Sequence, residues 1–283
     1  MIIDIYLAHR NTNQFFFQQV YLIKKFFKVN EGSEIVIYGY VDGNNDSIKS
    51  KLKNSWEELN VIPIDIPNNI KEYDRNTLGP CDSFGLAFQY VYENYILKNK
   101  HISVCMENDI MPYVDVNIEE LIKNYEICGE IRFNAGSLPD RMLMFWLGFI
   151  IFNGELMEDR ELWNAETGQT GLPVKSIMTN NIHWIDCGGN TYNWIMKKKR
   201  NVKHIVTVGY EDYDPYNSTI CRPFNITKET HLLPDELKED YHFSFRVLIY
   251  KDLFIHLERM GKEYDIKKVE WWNKSFHKLI NNS

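Results

Sequence analysis

Two carboxylates stand at the end of a short apolar segment, where they could bind a metal ion. Glu107 and Asp109 follow the run His101–Met106 and precede Pro112. On a β-strand, residues i and i+2 project from the same face, so both carboxylates would point the same way. Convergent carboxylate oxygens suit hard divalent cations such as Mg²⁺ or Mn²⁺. Taken alone, so short an acidic motif is more typical of a solvated turn, and the rest of the chain must decide between the two.

Asp186 and His256 are further candidates for a functional site. Asp186 ends a strand-like stretch and precedes Cys187, two glycines and the start of a helix. It could cap the free N–H groups of that helix, or it could take a proton from a hydroxyl group. His256 follows another strand-like segment and could bring an imidazole to the same site. A histidine buried and satisfied within the core is the alternative.

Strands and helices alternate over residues 1–113, and this alternation predicts βαβ units and a mainly parallel sheet. Apolar, β-rich segments predict strands at 2–8, 34–40, 61–67 and a fourth that ends at Glu107. Helical spacing of apolar residues predicts helices over 14–29, 47–59 and 84–97. Asp82 or Ser83 is expected to cap the last of these helices.

Polar residues follow three of the predicted strands, at the ends where parallel sheets bind their ligands. They are His9 with Arg10, then Asp42, then Glu107 with Asp109. The chain has neither the glycine fingerprint of a dinucleotide-binding fold nor a phosphate-binding P-loop, and both of those enzyme classes are disfavoured.

The second half of the chain is less regular. Strands are predicted at 130–134 and 143–153, and helices from Asn190 or Thr191 to about Arg200 and over 264–280. A long polar stretch, 154–181, contains Glu166. The basic run at 197–200 is expected to be a solvated helix end. Four tryptophans are expected to be core residues, with a sugar-stacking platform as the alternative: Trp146, Trp163, Trp184 and Trp194.

Composition and charge exclude several classes of protein. The chain has 283 residues, 44% of them hydrophobic, and a net charge of −7; it can bury a sizeable core and is not expected to bind nucleic acid. Five scattered cysteines form no Cys-x-x-Cys pair, so we expect a reducing, cytoplasmic environment. The N-terminus does not resemble a signal peptide. The longest apolar run, 142–152, is shorter than the roughly 20 residues of a membrane helix, and we expect a soluble protein without a transmembrane segment.

The order of these pieces resembles the GT-A-fold nucleotide-sugar glycosyltransferases, particularly the family-2-like group. Glu107-Asn108-Asp109 stands where that family carries an Asp-x-Asp or related acidic motif, and Asp186 and His256 follow in the family's order. The resemblance covers roughly residues 1–260. It implies an α/β, GT-A-like fold, with a Rossmann-like nucleotide-binding half around a mainly parallel central sheet and a less regular acceptor half. It also implies one catalytic domain with a nucleotide-sugar-binding half at 1–113, an acceptor half at 114–260 and a helical tail at 261–283.

The resemblance further implies a role for each candidate residue. Mn²⁺ or Mg²⁺ would be held by Asp109 as principal ligand, with Glu107 and His256. Asp186 would deprotonate an acceptor hydroxyl in an inverting displacement, and Glu166 is the alternative base. The acceptor would be a glycan, a lipid-linked molecule or a protein. The donor would be a nucleoside-diphosphate sugar, with UDP favoured, bound by Ala8, His9, Arg10, Asp42, Asp82, Ser83 and Asn108.

Two other functions stay open at this point. The family usually has Asp where this chain has Glu107, and the longer side chain would shift that ligand. This departure motivates a GT-A-like protein that binds glycans or a protein partner without transferring sugar. The other alternative is a metal-dependent hydrolase that uses the same acidic residues at the ends of the predicted strands.

Overall fold

The computed structural model describes residues 1–9, 15–41, 46–134, 142–167, 170–171, 174–175, 180–183, 187–205, 233–242, 245, 247–257 and 266–281. Within these ranges the strands are β1 (Ile2–His9), β2 (Phe27–Lys28), β3 (Glu34–Val41), β4 (Ile62–Ile64), β5 (Asn69–Ile70), β6 (Tyr73–Asp74), β7 (Ile102–Glu107), β8 (Ile110–Pro112), β9 (Val116–Asn117), β10 (Ile127–Asn134), β11 (Met142–Asn153), β12 (Val174–Lys175), β13 (Ile182–His183), β14 (Val202–His204), β15 (Leu248–Tyr250) and β16 (Phe254–His256).

The helices of the same ranges are α1 (Phe16–Phe26), α2 (Asp46–Glu58), α3 (Pro80–Val91), α4 (Ile118–Ile122), α5 (Thr191–Lys197), α6 (Asp235–Lys238) and α7 (Ile266–Asn281). A π-helical turn, Tyr92–Ile96, extends α3, and a 3₁₀ turn covers Arg160–Leu162. Among the described helices, none combines the length and the apolar character needed to cross a membrane.

Seven strands form the central sheet in the order β14-β10-β11-β7-β1-β3-β4. Parallel pairing joins β7, β1, β3 and β4, and β11 pairs antiparallel with both β7 and β10. Ala8 lies opposite Tyr40 on one side and Glu107 on the other, so the carboxyl ends of β1, β3 and β7 meet at one edge. The predicted α/β class with a mainly parallel sheet is confirmed.

Both faces of this sheet are covered by helices, because side chains alternate along each strand. From β1, Ile3, Ile5 and Leu7 enter an apolar cluster with residues of α1 and α2. Tyr6 and Ala8 point the other way, into a cluster with residues of α3 and α5. The strand is therefore buried on both sides, as a central strand of a parallel sheet should be.

A small antiparallel sheet, β15-β16-β8, lies beside the central one. In its register His256 is opposite Ile110, and Leu248 is opposite His256. A third apolar cluster joins it to α1, α6 and α7, with Met111, Ile255 and Trp272 among its buried members. This pairing is what carries the late part of the chain to the residues that follow β7.

Several local predictions are confirmed and one is wrong. Helix α7 matches the predicted tail helix, and α5 begins at Thr191 with Asn190 at its N-cap position. Trp163 and Trp194 are core residues, whereas Trp184 lies outside the described residues. Neither Asp82 nor Ser83 caps α3, because the helix already begins at Pro80, with Gly79 at the cap. Proline favours the first helical position, where its missing N–H costs no hydrogen bond.

The basic run at 197–200 lies at the end of α5 as predicted, but the expectation of a solvated run is wrong for Arg200, which is buried. Lys197 and Lys198 form ion pairs with Asp159, and Lys198 also pairs with Glu158. The Arg200 guanidinium lies 3.8 Å from the centre of the Trp194 ring. These cations are paired within the fold.

Candidate metal site at the strand edge

The three residues predicted to bind a metal come together in the structure. Glu107 is the last residue of β7, Asp109 lies in the two-residue turn before β8, and His256 is the last residue of β16. Their ligand atoms all lie within 4.8 Å of one another. His256 Nε2 is 3.5 Å from Asp109 Oδ1. Residues almost 150 positions apart in the chain are thus brought together by the pairing of β8 with β16.

The burial of these groups fits a bound cation. The Asp109 side chain is 15% exposed and that of His256 is 6% exposed. Asp109 Oδ1 is buried and accepts no hydrogen bond from the described residues. A buried carboxylate oxygen without a donor is unfavourable unless a cation satisfies it. Two carboxylates and one imidazole form a donor set that suits Mn²⁺, since this ion accepts both oxygen and nitrogen ligands.

Aromatic side chains, with Arg132 beside them, lie next to the His256 imidazole. The Tyr250 hydroxyl is 3.5 Å from His256 Nδ1, and the Trp146 ring centre is 5.0 Å from the imidazole. Arg132 lies over Trp146 and is 2.6 Å from Glu130 Oε2. A partner at Nδ1 fixes the ring orientation and leaves Nε2 directed at Asp109, which is the usual arrangement for a metal-binding histidine.

Gln19 and Tyr250 are contacts of the site that the sequence did not reveal. Gln19 stands among the apolar positions of α1, and its amide reaches the turn that contains Asp109. A polar residue within an apolar helical stripe is a signal that could have drawn attention to it. Tyr250 has no comparable signal, because an aromatic residue in a buried strand is ordinary core.

The predicted donor-binding residues at the strand ends are only partly described. Ala8 is buried and lies opposite Glu107 in the sheet. Asn108 and Asp109 form the turn between β7 and β8, called the acidic turn below. His9 is fully buried, with its ring centre 4.8 Å from that of Phe16. Arg10 and Asp42 lie outside the described residues. The C-terminal end of β1 therefore lies next to the acidic turn at Ala8, whereas the His9 side chain is buried inside the protein.

Burial of His9 predicts a dependence of stability on pH. Burial lowers the pKa of the imidazole to about 3, whereas in the unfolded chain it is about 6.5. Between these values the unfolded chain binds more protons, so stability rises with pH and is lost as pH falls below about 6.5. We expect His9 to account for about 2 kcal/mol of lost unfolding free energy between pH 7 and pH 5.

Urea unfolding at pH 7, 6 and 5 measures this effect in the wild type, in His9→Leu and in His277→Leu. His277 is exposed on α7, and His277→Leu is the control for replacing a histidine as such. His9→Leu should flatten the pH dependence. If the unfolding free energy changes with pH equally in the wild type and in His9→Leu, His9 is not buried in its neutral form.

The alternative base, Glu166, belongs to a second polar cluster. It is fully buried, pairs with Lys71, and has no partner among the described residues at Oε2. Burial raises the pKa of the Glu166 carboxyl, and the Lys71 ammonium opposes that shift. The next residue, Thr167, donates a hydrogen bond to Asp82 in the first turn of α3. Asp82, with the buried Ser83 beside it, thus lies close to Glu166.

Asp186 lies outside the described residues, but the turn that follows it is described and is firmly held. The Gly188 N–H donates to the Ala165 carbonyl at 2.8 Å, and Asn190 Nδ2 donates to the Thr167 carbonyl at 2.9 Å. Gly188 has a φ of +85°, a conformation that suits glycine because it has no Cβ. The turn after Asp186 thus packs against the segment that carries Glu166.

The structure thus defines an α/β protein with a candidate divalent-metal site at the carboxyl edge of its parallel strands. No protein-family profile matches the sequence, and comparison with curated proteins finds no significant match. Among solved structures the chain is similar to several glycosyltransferases. The bifunctional glycosyltransferase WbbM is 13% identical, with a TM-score of 0.41, and the match covers 71% of this chain and 38% of WbbM.

Two further structures show the same level of similarity. The glycosyltransferase GlyE of Streptococcus pneumoniae TIGR4 is 12% identical, with a TM-score of 0.43, over 99% of this chain and 62% of GlyE. The galactosyltransferase LgtC, solved with donor and acceptor sugar analogues, is 12% identical, with a TM-score of 0.39, over 71% of this chain and 72% of LgtC. The chain thus spans less than two thirds of WbbM and of GlyE. Because all three TM-scores are below 0.5, the function proposed next rests on the sheet and the site.

Proposed function

We propose that this chain is a metal-dependent glycosyltransferase of the GT-A type, using a nucleoside-diphosphate sugar, with UDP favoured, and a hydroxyl acceptor. The observation that carries the proposal is the meeting of Glu107, Asp109 and His256 at the carboxyl edge of a mainly parallel sheet. Ligands of such sheets bind at that edge, and a diphosphate bound there would meet the cation.

The chemistry follows from the charge on the leaving group. A bound Mn²⁺ or Mg²⁺ supplies neutralisation of the negative charge that develops on the diphosphate as the glycosidic bond breaks. Asp109, Glu107 and His256 would hold the ion. Around it, Asn108, Ala8, Arg10, Asp42, Asp82 and Ser83 are proposed to bind the donor. His9, being buried, would support the end of β1 from within.

Asp186 is proposed as the base that takes the proton from the acceptor hydroxyl as the hydroxyl oxygen attacks the sugar. Glu166 is the alternative base, although its carboxylate is already paired with Lys71. The reaction would be an inverting displacement. We further propose one catalytic domain divided at residues 113 and 260, a glycan, lipid-linked or protein acceptor, and a cytoplasmic location.

Calorimetric titration tests this function directly. We expect UDP to bind in the presence of Mn²⁺ and more weakly after chelation by EDTA, with GDP as the comparison for the base. If neither UDP nor GDP binds, with or without metal, the proposal is overturned. Donor turnover separates the alternatives: a transferase needs an acceptor for rapid turnover, a hydrolase releases free sugar with water alone, and a non-catalytic binder holds the donor without turnover across an acceptor panel.

A further inference from the structure

Gln19 is a buried amide that holds the acidic turn at both ends. Its Nε2 atom donates to the Glu107 carbonyl at 2.6 Å and to the Ile110 carbonyl at 2.8 Å. Carbonyl oxygens only accept, so the NH₂ group must face both of them. The two carbonyls flank Asn108 and Asp109, and one side chain of α1 therefore closes the turn that presents the proposed metal ligands.

The surroundings of Gln19 are otherwise apolar. It is fully buried, and its helix neighbours Phe16, Val20 and Ile23 belong to the apolar core cluster. Its Oε1 atom is buried and has no hydrogen-bond partner among the described residues. Burying such an oxygen is unfavourable, so a glutamine here is a poor choice for core packing alone. Its two bonds to the turn are what this side chain contributes.

We infer that Gln19 is a positioning residue for the cation, an inference that rests on the proposed function. By fixing the carbonyls on either side of Asp109, it sets the separation of the Glu107 and Asp109 carboxylates before an ion binds. Removing a side chain that hydrogen-bonds a metal ligand lowers metal affinity by about 10- to 100-fold, and Gln19, which bonds the backbone around the ligands, is expected to act at the lower end of that range. Without the amide the turn can relax. Ion binding must then order the two carboxylates, and the loss of conformational entropy weakens binding.

Gln18 provides a matched control in the adjacent position. Its Oε1 accepts from Trp272 Nε1 at 2.6 Å, and its Nε2 donates to Asn273 Oδ1 at 2.8 Å. It therefore also makes two hydrogen bonds to another part of the fold, but these bonds join α1 to α7 and do not touch the acidic turn. Replacing it with methionine removes the same number of bonds from the same helix.

The test is the Mn²⁺ affinity of the full chain, measured by electron paramagnetic resonance of free Mn²⁺ for the wild type, Gln19→Met, Gln18→Met and Asp109→Asn. Methionine keeps the length of the side chain and fills core space well. We expect Gln19→Met to bind Mn²⁺ about tenfold more weakly, and Gln18→Met to bind it as the wild type does. Thermal unfolding without metal reports the purely structural loss in each glutamine variant and separates it from the change in Mn²⁺ affinity.

The outcomes separate this inference from the function on which it rests. If the wild type and Asp109→Asn bind Mn²⁺ equally, or neither binds it, the proposed metal site is wrong and the role of Gln19 falls with it. If Asp109→Asn loses Mn²⁺ while Gln19→Met keeps wild-type affinity, only the inference is overturned. Gln19→Leu serves as a second apolar variant. If neither apolar variant folds, the amide is needed for the fold itself, and the positioning role is also overturned.

Discussion

Asp109→Asn is expected to abolish Mn²⁺ binding and to slow sugar transfer by about a thousandfold. Asparagine keeps the size and one oxygen of the side chain but removes the negative charge that attracts the cation. Metal neutralisation of a leaving group contributes several kcal/mol to the transition state, and each 1.36 kcal/mol corresponds to about tenfold in rate. Asp109 is the principal ligand in this proposal because its buried Oδ1 faces His256 and has no donor among the described residues.

The control for this variant is Asp115→Asn. Asp115 is an exposed acidic residue shortly after β8, and it pairs with Lys28 on the surface. Surface pairs of this kind contribute little to stability, commonly about 0–1 kcal/mol. Its replacement should leave Mn²⁺ affinity and transfer unchanged. Wild-type Mn²⁺ affinity in Asp109→Asn, measured by the same resonance titration, would remove Asp109 from the site.

The central sheet and the place of Glu107 at the end of its fourth predicted strand could be predicted from local patterns, but Asp109 lies in a turn and not on the same strand face as Glu107. Apolar segments alternating with helical ones specify βαβ units, and the last residues of each strand then fall at one edge. Glu107 is placed there by sequence alone. The place of His256 does not follow from local patterns, since nothing near it in the sequence shows that the segment before it pairs with β8. In the structure β15 and β16 form a hairpin, and this hairpin places β16 beside β8.

The reason for that missed hairpin is the chemistry of its turn. In the sequence, residues 243–256 form an apolar stretch with two basic interruptions, but the chain reverses at Lys251 and Asp252, whose φ values are 49° and 55°. Turns of this kind usually contain Asn-Gly or Asp-Gly, because those residues tolerate positive φ. Lysine followed by aspartate gives no such signal. The polar Gln19 in an apolar helical stripe indicates a buried hydrogen bond, but its partner in the turn depends on tertiary packing and cannot be read from the local sequence.

Asp186→Asn is expected to slow transfer by about 10²- to 10⁴-fold, the usual contribution of a general base, while donor affinity stays as in the wild type. The reason is that asparagine cannot take the acceptor proton but leaves the metal and diphosphate contacts untouched. Steady-state kcat, together with UDP affinity from calorimetry, checks both halves of this expectation. A parallel loss of UDP affinity would place Asp186 in the donor site instead.

Glu166→Gln is the matched comparison, since it removes one carboxylate charge from the neighbouring segment. Glu166 is buried, and its Oε1 pairs with Lys71, which stabilises the charged carboxylate and makes it a weaker base. We therefore expect a smaller loss of kcat than for Asp186→Asn, with a lower unfolding free energy because Lys71 loses its partner. The reverse ranking would transfer the role of base to Glu166. If both variants retain wild-type kcat, neither Asp186 nor Glu166 acts as the base, and a retaining displacement, which needs no such base, becomes the better explanation.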